Sequence, residues 1–125
     1  MGMNFLQVAL GGAAGAVCRY AAGLWVARML GNGFPWGTLA VNVLGSCLMG
    51  VLVVVLTQVT GNRFAPLVLT GFLGGFTTFS AFSLDAVNLF ERGQPELAAG
   101  YVAVSVLLSI AALFAGLAFA RSLLT

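Results

Sequence analysis

The chain has 125 residues, 61% hydrophobic and 6% charged, with a mean hydropathy of +1.08. A soluble domain carries about 25% charged residues, so this is one all-α integral membrane domain over residues 1–125, with lipid as its solvent. There is no Lys and no His, and a net charge of +2 spread over scattered arginines is too small for a nucleic-acid surface.

The first predicted helix covers about 4–29. Gly11, Gly15, Arg19 and Gly23 recur every four residues and share one face. Gly11 and Gly15 form a GxxxG pair, which admits another helix at close range. The run is too long for a signal peptide, so this helix is expected to be retained. Gly11–Gly15 is not a dinucleotide fingerprint, because no strand precedes it. Cys18 and Cys47 lie in apolar runs and read as small buried residues, not as a disulfide or metal pair.

Residues 31–35 form a turn, and a second helix follows over about 36–57, with Trp36 suited to the membrane interface. Thr38, Asn42, Gly45 and Met49 share a face. Val51 to Leu56 is unbroken aliphatic and is expected to face lipid.

The third span is predicted as two half-helices, about 65–74 and 79–90. Pro66 fits the first turn of the first half. Gly74 and Gly75 lower helix propensity by roughly 1 kcal/mol each, and Thr77 and Thr78 are β-branched, with a hydroxyl able to cap a new helix. An unwound turn at bilayer depth survives only inside protein or beside a polar cavity. Its carbonyls can hold a cation, and the new helix N-terminus attracts an anion. The same glycines also fit a plain packing face. Arg92 and Gly93 end this span, and Pro95 and Glu96 open the fourth helix, which runs to about residue 121. Tyr101, Ser105, Ser109, Ala112 and Gly116 share one face of it. Four spans put both termini on one side of the membrane. Arg28 and Arg92 flank one side, Arg63 and Arg121 the other. An even count removes the usual orientation bias, and this points to insertion both ways up and an antiparallel homodimer.

The polar residues within the spans are few. Arg19 costs at least ~2.5–3.5 kcal/mol at bilayer depth on insertion scales, so it faces a polar cavity or a partner. It reads as an anion attractor or a wall of an aqueous vestibule, or else as an interfacial Arg that snorkels or a clamp on backbone carbonyls. Asn42 reads as a donor to an anion or as a bond to a neighbouring helix. Phe79 and Phe82 share a face; they are ordinary packing or a pair of positive ring edges beside an anion path. Ser80, Ser83, Ser105, Ser109 and Tyr101 add hydroxyl donors, and Asp85 is the carboxylate within a span, placed in a vestibule or against an Arg. Without His or Lys there is no imidazole base, Cys/His metal set or phosphate-loop lysine, so the chain is not read as an enzyme. Donors and carbonyls suit moving an ion.

Three motifs carry a resemblance. Gly12-x-x-Gly15-Ala16-x-x-Arg19-Tyr20, Gly37-Thr38-Leu39-x-Val41-Asn42-x-x-Gly45-Ser46 and Gly71-x-x-Gly74-Gly75-Phe76-Thr77-Thr78-Phe79-Ser80-x-Phe82 together resemble the Fluc fluoride channels, also called CrcB or camphor-resistance proteins. The resemblance spans essentially the whole chain. It implies a dual-topology antiparallel homodimer in the bacterial inner membrane, with two pores that export fluoride passively. It implies a structural sodium ion (Na+) at the dimer centre, held by backbone carbonyls at Gly74 and Thr77. It places Phe79, Phe82, Asn42, Ser80, Thr38, Tyr101, Ser105 and Ser109 along the fluoride path and Arg19 at a vestibule. The family usually carries Thr where this chain has Ala81. The alternative is a proton-coupled small multidrug-resistance-type exporter, but the first helix lacks the carboxylate that such an antiporter uses.

Overall fold

The computed structural model describes residues 2–124, all-helical with no strand among them. Helix α1 spans Gly2–Leu30. It closes where Gly31 takes φ +81° and donates its N–H to the Ala27 carbonyl at 2.8 Å, the left-handed C-terminal step that glycine makes without strain. Helix α2 spans Trp36–Val59. After a turn in which Gly61 and Asn62 have positive φ, helix α3 begins with Pro66 in its first position. It comprises a wide-turned segment, Pro66–Leu73, continued by Gly74–Phe76. The wide turns bond five residues back, as in Gly74 N–H to the Leu69 carbonyl. One amide at its start that the helix leaves free, Leu67 N–H, donates to Gln7 Oε1 of α1 at 3.2 Å. Thr77 and Thr78 are extended, and α4 then spans Phe79–Glu91. Gly93, φ +79°, ends it, and α5 spans Pro95–Leu124.

Taking α3 and α4 as one interrupted span, four helical stretches among the described residues are long and apolar enough to cross a membrane. They pack as two glycine-seamed pairs. On α1, Gly11 abuts Leu67 and Gly71, and Gly15 abuts Phe72 and Phe76, so α1 and α3 run in parallel. A Cβ at Gly15 would collide with the Phe72 carbonyl. In the second pair Gly50 of α2 abuts Leu113 and Leu117 of α5, and Gly116 of α5 abuts Cys47 and Val51 of α2. Such mutual contact of backbones is how helices associate in lipid, where packing rather than water exclusion draws them together. Leu39, Phe82, Leu89, Ala98 and Tyr101 form a small core joining α2, α4 and α5.

Three expectations are corrected. The first half of the broken span does not stop at Gly74; it runs to Phe76, and unwinding is confined to Thr77 and Thr78. Gly75 stays helical because it is wedged against Gly12 and Ala16 of α1. The aliphatic run from Val51 to Leu56 does not face lipid: Val54 and Leu56 are buried and the others half-buried, because α2 is flanked by α1, α3 and α5. Cys18 is exposed rather than buried. It shares with Ala14, Val17 and Ala21 an exposed face of α1, turned away from the one on which Gly11 and Gly15 meet α3. Cys47 is half-buried beside Gly116, and both thiols are free.

Candidate functional site at the helix break

The break is held by side chains from three directions. From α2, Asn42 pairs with both backbone groups of Thr78: Oδ1 accepts from Thr78 N–H at 2.8 Å, and Nδ2 donates to the Thr78 carbonyl at 3.0 Å. From α1, Arg19 Nε donates to the Gly75 carbonyl at 3.0 Å. Within the break, Thr77 Oγ1 donates to the Leu73 carbonyl at 2.8 Å, and Thr78 Oγ1 accepts from Ala81 N–H at 3.1 Å as the cap of α4. Several of the backbone groups released by unwinding thus find partners, which matters in a membrane, where an unpaired one costs several kcal/mol.

Beside the break, α2, α4 and α5 enclose a groove of about 380 Å³, open on one side. Asn42, Thr77, Phe79, Phe82, Ser105 and Ser109 line it, and no charged residue does. Phe79 and Phe82 meet with ring centroids 5.4 Å apart, tilted by 51°. Their surroundings differ: Phe82 is 8% exposed, whereas Phe79 is 77% exposed. The Ser105 hydroxyl is buried; among the described residues it makes no hydrogen bond of full geometry, and it lies near the Tyr101 hydroxyl one turn back. Ser109 is half-buried one turn on. Ser80 is exposed, its Oγ 3.3 Å from Thr78 Oγ1.

Tyr101 is fully buried, packed against Phe82 of the groove wall. Its ring lies 5.3 Å from that of Phe82, and its hydroxyl donates to Asp85 Oδ2 at 3.4 Å. Asp85 in turn lines a wider mouth of about 670 Å³, with Thr38, Asn88, Glu91 and Arg92. Tyr101 therefore stands between an uncharged groove and a charged mouth. Arg19 is in neither space. It lines a third cleft of about 210 Å³ with Thr38, Thr78 and Ala81.

The structure brings Asn42, Phe79, Phe82, Ser105 and Ser109 to one groove, with Tyr101 behind Phe82. It leaves Ser80 on the surface, Thr38 in the mouth and Arg19 across the break. Gly74 is exposed and Thr77 half-buried. Because Thr78 N–H turns to Asn42, it is withdrawn from the Gly74 carbonyl it would otherwise meet in a continued helix. Neutral carbonyl oxygens of this kind fit a hard alkali cation. Among the described residues no three of His, Cys, Asp and Glu gather as a metal set. Two contacts lay outside the sequence reading. Gln7 supports the start of α3; its only signal was an amide within an apolar helix. The Tyr101–Asp85 bond has no signal in spacing, since the two lie on different helices.

A family profile described as CrcB-like protein, Camphor Resistance (CrcB) matches residues 6–117. A Cereibacter sphaeroides protein called "Fluoride-specific ion channel FluC" is 63% identical over 118 residues, covering 94% of each chain. Proteins of that same name from Rhizobium etli and Agrobacterium fabrum are each 55% identical, over 120 and 123 residues. These matches cover 94% and 97% of this chain and 96% and 98% of the relatives. With four helices long enough to span a bilayer and a match running almost end to end, this chain is a multi-pass membrane protein that belongs to the CrcB, or camphor-resistance, family.

Proposed function

We propose that this chain is a fluoride-selective channel, passing fluoride out of the cell down its electrochemical gradient across the bacterial inner membrane. It is a transport protein, not an enzyme. The observation that carries the reading is the uncharged groove, which the buried Ser105 hydroxyl lines together with Asn42 and Phe82. Fluoride is small and strongly hydrated, so a dry path must replace its water with donors. Asn42 spends one amide hydrogen on Thr78 and keeps another. Ser105 and Ser109 add hydroxyls, and the rings of Phe79 and Phe82 present edges of positive potential. With no cation in the groove, an anion is held weakly enough to leave. Ser80 and Thr38 extend the donors toward the two ends, and Arg19 borders a vestibule.

The groove is open beside Phe79, so a single chain does not enclose a path. A second copy, inserted the opposite way up, closes it and gives two pores per antiparallel dimer. Gly74 and Thr77 lie at the break with carbonyls that suit a sodium ion shared between copies. Such an ion supplies fixed positive charge and ties the two breaks together. A proton-coupled exporter gains no support from the relatives, and Asp85 is engaged by Tyr101.

Purified protein in liposomes tests the reading. Fluoride efflux is expected only when a potassium ionophore relieves charge build-up, with chloride efflux much slower. Efflux without the ionophore, or efflux that requires a proton gradient, would refute a channel.

A further inference from the structure

We propose that Arg19 is a positioning residue for the helix break, acting as a hydrogen-bond donor to backbone rather than as a charge that draws anions. Three observations meet here. Arg19 Nε donates to the Gly75 carbonyl at 3.0 Å. Gly12 and Ala16, on the same side of α1, press on Gly75 so closely that a Cβ there would lie 2.6 Å from the Gly12 carbonyl oxygen. The cleft that Arg19 lines contains no carboxylate, so no acidic side chain shares this space with it.

This contact decides which carbonyls remain available at the break. The Leu73 carbonyl accepts from Thr77, and the Gly75 carbonyl accepts from Arg19. The Thr78 carbonyl accepts from Asn42. Those of Gly74 and Thr77 receive none of these bonds. Arg19 thus removes one acceptor from the break and fixes the plane of the peptide that follows Gly75. The assignment does not depend on fluoride conduction, and its main readout is independent of transport.

Arg19→Gln separates the two roles. The Gln side-chain nitrogen falls where Nε falls along the chain, so the donor is kept and the charge is lost. Arg19→Met keeps the length and loses both. Arg19→Lys keeps the charge on a longer arm. Amide hydrogen exchange over residues 73–80 is the readout, with α5 as the internal control for folding. Arg19→Gln is expected to exchange within about twofold of the parent, and Arg19→Met about tenfold faster, the loss of one hydrogen bond to a charged donor. Fluoride efflux per folded protein is expected to follow the same order. The proposal is overturned if Arg19→Met exchanges like the parent. It is equally overturned if Arg19→Gln behaves like Arg19→Met while Arg19→Lys behaves like the parent, since charge would then be what matters. Should Arg19→Met not fold, Arg19→Gln against Arg19→Lys still decides. A parent that conducts no fluoride would refute the channel reading and leave the exchange comparison intact.

Discussion

Replacing Ser105 by Ala is expected to leave the protein as stable as before, or more stable, while slowing fluoride. The residue is 5% exposed, and among the described residues its hydroxyl makes no hydrogen bond of full geometry. Most serines in membrane helices bond their own backbone. Ser83 does so, donating to the Phe79 carbonyl at 3.0 Å, and Ser122 donates to the Phe119 carbonyl at 2.8 Å. Ser105 makes no such bond, and its neighbour, the Tyr101 hydroxyl, already donates to Asp85, so it bears much of the desolvation of a hydroxyl, about 1–3 kcal/mol in proteins. Alanine removes that burden and adds up to ~0.5 kcal/mol of helix propensity. The opposing loss, the dispersion contacts of one oxygen atom, is on the order of a few tenths of a kcal/mol. The net expectation is a gain of about 1 kcal/mol in unfolding free energy. If the same hydroxyl replaces a water of fluoride, its loss raises the barrier by about 1.4 kcal/mol, a tenfold fall in flux. Denaturant unfolding in detergent and fluoride efflux from liposomes are measured on one preparation, with Ser83→Ala as the control. Destabilisation by more than about 1 kcal/mol would mean that the hydroxyl has a structural partner in the assembled protein. Parent-level flux would remove it from the path.

Asn42→Ala deletes both bonds to Thr78 and strands an N–H and a carbonyl at the break. A loss of about 2–4 kcal/mol is expected, with faster amide exchange at Thr78 as the local sign; unchanged exchange would contradict the clamp. Gly50→Ala drives a Cβ into the Leu113 carbonyl and to 2.9 Å from Leu117 N. Neither backbone atom can swing away, so α2 and α5 must separate, at about 1–3 kcal/mol or more by unfolding. Phe79→Ile and Phe82→Ile should both reduce fluoride efflux, but only Phe82→Ile should loosen the single chain, by about 1–2 kcal/mol, because its ring packs on Tyr101. Full flux in Phe79→Ile would place the path elsewhere.

The spans and their ends were legible because each rests on local chemistry. Pro66 and Pro95 start helices and Gly31 and Gly93 stop them, whatever surrounds them. That the third span is interrupted was also legible, from two glycines followed by two threonines. Its location was misread because glycine has two uses. In water it weakens a helix; in lipid it lets backbones touch, and Gly75 is spent on the second use, against Gly12. The threonines unwind instead, since Asn42 and the Thr78 hydroxyl take over the bonds that a helix would have made. The stretch from Val51 to Leu56 failed for a related reason. Lipid tails are as apolar as leucine, so hydropathy cannot separate a side chain facing lipid from one facing another helix.

Within the site, the identity of the polar residues could be read and their pairing could not. Arg19 carried several readings, and one that required no ligand, a clamp on a carbonyl, is a contact that forms. Phe79 and Phe82 were placed on one face by their spacing, yet one is buried and the other bare. The difference comes from how α4 lies against α5. Phe82 falls where the helices touch, and Phe79 falls one turn nearer the break, where α4 has just begun. A bare aromatic at the rim of a groove lined by buried donors is a surface shaped for contact. Burying a phenylalanine side chain stabilises by roughly 1.5–3 kcal/mol in water, but in lipid that term is small. In the proposed dimer, a second copy covering this groove is therefore held by fit and by polar groups rather than by apolar burial.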